Sequence, residues 1–70
     1  METISIRDEF IKLGQALKLA ELVSNGVDAK IVIQDGEVKL NGEVETRRGK
    51  KVYNGDVIEF NGSQVKIVNE

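Results

Sequence analysis

The sequence contains no cysteine, no histidine and no proline, and only three aromatic residues. Each absence removes a class of explanation. Without cysteine there is neither a disulfide framework nor a thiolate nucleophile, and without histidine the usual acid–base group and the usual nitrogen ligand for zinc are missing too. The longest apolar run, Ile31 to Ile33, falls far short of a membrane span or of the apolar stretch of a signal peptide. A cytoplasmic location with no membrane partner is therefore expected. No Gly-rich phosphate loop of either common nucleotide-binding form occurs. The carboxylates that remain, such as Asp35 with Glu37 and Glu43 with Glu45, fall where surface residues belong. No catalytic residue, metal or cofactor is expected, so the function to look for is binding.

What is present fits one small domain over residues 1–70, in which 40% apolar and 31% charged residues suit a soluble, folded chain. Nothing resembling a linker divides it. Thr3 to Ile6 alternates polar and β-branched residues and reads as a strand. Phe10, Leu13, Leu17 and Ala20 recur at helical spacing, which predicts a helix reliable from Leu13 to Leu22 and ended by Ser24-Asn25-Gly26. Asp28 is the expected cap of a second helix that buries Ala29, Val32 and Ile33 and ends at Gly36. Two hairpins follow, Val38–Leu40 with Glu43–Glu45 around Asn41-Gly42, and Val57–Phe60 with Gln64–Val68 around Asn61-Gly62. The expected fold class is α+β, two short helices packed on a small, mainly antiparallel sheet.

Charge is distributed unevenly. The chain carries a net charge of −2, yet the stretch Thr46-Arg47-Arg48-Gly49-Lys50-Lys51-Val52-Tyr53, read as a loop between the hairpins, holds four cations and no acid. Arginine forks and lysine point charges in a loop suit phosphates, and Gly49 permits close approach of a backbone. Tyr53 offers either a ring on which an unpaired RNA base stacks or ordinary packing for an aromatic-poor core. Lys18 and Lys30 lie on the polar sides of the two helices, where the core has no need of them. An alternative keeps the same basic surface but gives it acidic protein side chains, making the domain a protein–protein adaptor.

The order Leu17-Lys18-Leu19-Ala20, Asn25-Gly26, Ala29-Lys30, Gly36-Glu37-Val38, Val44 through Lys51 and Gly55-Asp56-Val57 resembles the S-four domain. This is the αL-motif RNA-binding module named after a small-subunit ribosomal protein. The resemblance covers about Leu13 to Phe60 and is nearest to small stand-alone bacterial members. It implies an RNA-facing surface drawn from Lys18, Ser24, Asn25, Lys30, Lys39, Asn41, Arg47, Arg48, Lys50 and Lys51, and a structured, ribosomal RNA partner, alone or within ribosomal particles. One departure stands at the opening of the second helix. There Ser24-Asn25-Gly26-Val27-Asp28 replaces the arginines of many members, which implies contact that is weaker at that point or turned elsewhere.

Overall fold

The computed structural model describes residues 1–70. In chain order the elements are β1 (Glu2–Ile6), β2 (Phe10–Lys12), α1 (Leu13–Leu19), α2 (Gly26–Gln34), β3 (Val38–Leu40), β4 (Glu43–Val44), β5 (Lys51–Tyr53), β6 (Val57–Phe60) and β7 (Ser63–Asn69). Five strands form one sheet in the order β1-β7-β6-β3-β4, while β2 and β5 pair as a separate antiparallel ribbon. Only the β1–β7 pairing is parallel. The architecture is α+β, as the sequence predicts.

Alternation along the strands sends one set of side chains inward. Ile4, Ile6, Val38, Ile58, Val65 and Ile67 of the sheet meet Leu13, Ala16, Leu17, Ala29 and Ile33 of the helices and Val52 of β5 in a single buried cluster. No aromatic residue belongs to that cluster. The opposite face of the sheet carries the register rows Val44–Lys39–Glu59–Gln64 and Val57–Lys66–Thr3, which no helix covers.

The helix boundaries differ from the sequence reading for a local reason. α1 stops at Leu19, with Ala20 as its cap and Glu21 in the left-handed region at φ 59°. The Glu21 amide then donates to the Lys18 carbonyl and the Leu22 amide to that of Leu17, a Schellman closure that folds Leu22 back against the core. That closure outweighs the roughly 1–2 kcal/mol cost of a left-handed residue with a side chain. The same closure ends α2 at Gly36, where glycine meets the positive φ at no such cost. Ser24-Asn25-Gly26 therefore does not terminate α1 but opens α2. Asn25 is the cap, its Oδ1 accepting from the Asp28 amide at 2.9 Å, so Asp28 is a first-turn residue and not the cap. Phe10, assigned to the first helix by its spacing, lies in β2, and the basic stretch read as a loop contains the short strand β5.

Candidate nucleic-acid interface

α1 begins without a side-chain cap. The basic loop supplies the missing acceptors instead: the Leu13 amide donates to the Lys50 carbonyl at 2.9 Å and the Gly14 amide to the Arg48 carbonyl at 3.1 Å. The loop backbone is thus fixed across the first turn of α1. A Cβ added to Gly14 would stand 2.7 Å from Arg48 Cγ, so glycine there lets the arginine stem lie directly on the helix. That contact turns Arg48 toward an open groove of about 290 Å³ between the helices, lined also by Lys12, Gln15, Lys18 and Gly26.

No acid lines this groove, and Lys12, Lys18 and Arg48 form no ion pair. Lys18 Nζ comes within 4.0 Å of the point a Gly26 Cβ would occupy, close to the first turn of α2, whose dipole adds positive potential that Asp28 of the same turn partly offsets. Lys30 stands one helical turn after Gly26 on the same flank of α2 and is exposed. Ser24 and Asn25 lie exposed just before that turn, with the Asn25 side chain occupied as the cap. Two cations, a guanidinium fork and a helix N-terminus therefore converge where an anion could be held by several donors at once.

The remaining residues singled out from the sequence lie elsewhere. Arg47, adjacent to Arg48, turns the other way and forms a fork with Glu45: Nε donates to Oε2 at 2.9 Å, Nη2 to Oε1 at 3.2 Å, and the Arg47 amide to Oε2 at 3.0 Å. The hydrogen bonds from Arg47 hold the Glu45 carboxyl below its ordinary value and raise the guanidinium above its own. Arg47 and Lys50 line a second depression beside Asn41, Glu43 and Glu45, where acids are neighbours. The acid-free stretch in the sequence thus acquires an acid from the preceding hairpin.

Asn41 has its amide committed, Nδ2 donating to Asp56 at 3.0 Å and Oδ1 accepting from the Val57 amide at 2.8 Å. Lys39 stands on the outer face of the sheet opposite Glu59 and away from the groove. Lys51 places Nζ 4.7 Å over the Phe10 ring, and Phe10 and Tyr53 pair at 6.0 Å between centroids with a 49° tilt. Tyr53 is 42% exposed and so is not core. Of the residues singled out from the sequence, the structure brings together Lys18 and Arg48, leaves Lys30 outside the groove lining on the neighbouring helix, and separates both from Lys39, Asn41, Arg47 and Lys50. Sequence reasoning missed Lys12 and Gly14, because a lone lysine and a glycine at a helix start carry no pattern of their own. It missed Phe10 because a helical spacing claimed that residue.

Comparison with known proteins agrees in both sequence and shape. The chain is 46% identical over 67 residues to the "Probable ribosome maturation protein RlbA" of Bacillus subtilis, covering 94% of each chain. It is 38% identical over 69 residues to the "Putative RNA-binding protein YbcJ" of Escherichia coli, covering 97% of this chain and 99% of that protein. The solution structure of YbcJ, described as revealing an αL motif involved in RNA-binding, superimposes with a TM-score of 0.75 over 97% of this chain and 87% of that one. The model of the S4 domain matches residues 4–68, nearly the whole length that folds around the single core, and the chain belongs to the S4-domain family.

Proposed function

We propose that this domain binds structured RNA, ribosomal RNA in the first place, and acts without catalysis in ribosome assembly or translation. The observation that carries the reading is the acid-free groove in which Lys12, Lys18 and Arg48 converge beside the start of α2. Three cations of this kind suit phosphates held in a fixed arrangement, as in a folded RNA, and the open shape suits a backbone better than an enclosed small molecule. The names of RlbA and YbcJ, which concern ribosome maturation and RNA binding, support the same direction.

The test is sedimentation of the protein in a bacterial lysate, followed by crosslinking and sequencing of the attached RNA. The protein should travel with ribosomal particles, be released by ribonuclease and crosslink to ribosomal RNA through the groove. A folded Lys18→Ala/Arg48→Ala variant should remain at the top of the gradient. One observation favours an adaptor reading through an apolar patch and not through the basic surface: Val27 and Ile31, one turn apart on α2, are 67% and 51% exposed. Co-sedimentation that survives ribonuclease and is abolished by Val27→Ser/Ile31→Ser would establish that reading instead.

A further inference from the structure

The ribbon of β2 and β5 has an outer face that the groove does not account for. Its register pairs Phe10 with Tyr53, Ile11 with Val52 and Lys12 with Lys51. Val52 is buried and Ile11 packs on the core, so alternation turns Phe10, Tyr53, Lys12 and Lys51 outward together. Two rings and two ammonium groups thus share a surface only three residue pairs long. Neither lysine has an acid partner. Lys51 covers the Phe10 ring, which leaves Tyr53 as the ring that an incoming group can meet. Asp56, near Tyr53 in the chain, has its carboxylate occupied by the Asn41 amide and by the Tyr53 backbone N–H at 2.8 Å.

We infer that this face is a second contact site, which takes one unpaired nucleotide with its base stacked on Tyr53 and its flanking phosphates met by Lys12 and Lys51. The inference rests on the RNA-binding reading of the groove and extends it, because Lys12 belongs to both surfaces. An exposed ring with two unpaired cations at the other end of the same short ribbon complements a base and its phosphates. An acidic peptide would use the lysines and leave the ring idle. The RNA selected is then a helical or folded element with an unpaired nucleotide beside it, not a continuous duplex.

The chain provides its own reporter, since Tyr53 is its only tyrosine and there is no tryptophan. Tyrosine emission of the unaltered protein is to be followed during titration with an eight-nucleotide oligouridylate, with a blunt twelve-pair RNA duplex and with a tetra-aspartate peptide. Free N-acetyltyrosinamide corrects for absorption, and gel shift scores binding independently. Saturation by the single strand should quench the emission, whereas duplex bound to the same degree and the peptide should leave it unchanged. Tyr53→Ala should weaken the single strand about 5- to 150-fold and the duplex less than about twofold, while Tyr53→Phe keeps single-strand binding. RNA binding without quenching, or equal quenching by duplex, overturns the stacking site and leaves the groove reading standing. Failure of both RNAs to bind overturns both, and quenching by the peptide alone assigns the face to a protein.

Discussion

The loop from Thr46 to Lys50 separates two depressions built from similar cations to opposite effect. On one side Arg48 joins Lys12 and Lys18 in a groove without acids. On the other, Arg47 and Lys50 lie beside Glu43 and Glu45, and Arg47 is spent on an ion pair. Neighbouring arginines in the sequence therefore differ in what they can offer a ligand. A cation already compensated gains little by exchanging a carboxylate for a phosphate, while an uncompensated one releases counterions from the nucleic acid and gains the full contact. The difference is decided by direction: the Arg48 stem lies on Gly14 of α1, whereas the Arg47 guanidinium turns back to Glu45.

The largest expected effect tests that contrast directly. At about 0.7 to 0.9 counterions released per phosphate, one contact contributes about 5- to 8-fold to affinity in about 0.1 M salt. Lys18→Ala/Arg48→Ala should therefore weaken binding to ribosomal RNA about 25- to 60-fold and flatten the logarithmic salt dependence by nearly two contacts. Arg47→Ala should weaken it less than about threefold with little change of slope. Equal losses for Arg47→Ala and Arg48→Ala would abolish the distinction between the two depressions.

The hairpin side should instead reveal itself in stability. Asn41 and Asn61 each precede a glycine in a tight turn and share a φ of 53°, yet only Asn41 makes side-chain hydrogen bonds. Glycine preserves the backbone at either position, so Asn41→Gly isolates the two lost bonds, worth about 1–2 kcal/mol together, whereas Asn61→Gly should be close to neutral. Thermal melts of both variants check this, and a matching drop in each would show that the side-chain bonds of Asn41 contribute nothing. RNA affinity should be unchanged in Asn41→Gly at a temperature where it is folded.

A smaller effect concerns how the groove is assembled. Gly14→Ala gains about 1 kcal/mol of helix propensity but forces the Arg48 stem off the helix, because the new methyl would lie 2.7 Å from Cγ. Affinity should fall by about one contact, 5- to 8-fold, while the melting temperature stays near that of the unaltered protein. An unaffected affinity would show that Arg48 reaches the ligand without its seat on Gly14.

What the sequence made legible follows from which interactions are local. The β-branched alternation of Ile4 and Ile6, the Asn-Gly turns and the periodicity of Ala29, Val32 and Ile33 depend on near neighbours and are visible as patterns. The two-stranded ribbon was not, because three-residue strands far apart in sequence are specified mainly by each other. Nor could the parallel edge pairing of β1 with β7 be read from either end alone. At the groove, Lys18 is visible from its place on the polar side of a helix and Arg48 from the run of cations in the loop. Charge counts could not reveal that Glu45 turns back on Arg47, or that Asn41 serves the turn.

The smallest expected effect measures the ion pair that sets the two sides apart. Glu45 is the acceptor for both the side chain and the amide of Arg47, and its side chain is 13% exposed against 70% for Arg47. Those hydrogen bonds place the carboxyl below its ordinary value near 4.5. A group depressed on folding contributes stability that is present above its unfolded value and is lost as pH falls through the folded one. The difference in stability between the unaltered protein and Glu45→Gln should therefore be constant from neutral pH down to about 5 and shrink below 4.5. Its size should be small, because the guanidinium side of the pair is open to screening by water and salt. Titration of the Glu45 carboxyl carbon by nuclear magnetic resonance reads the shift itself: the midpoint should lie below 4.5 in the unaltered protein and move up toward it in Arg47→Ala. A midpoint already at the ordinary value would mean that the pair does not persist in solution. Arg47 would then be as free as Arg48, and the basic loop would present one continuous surface.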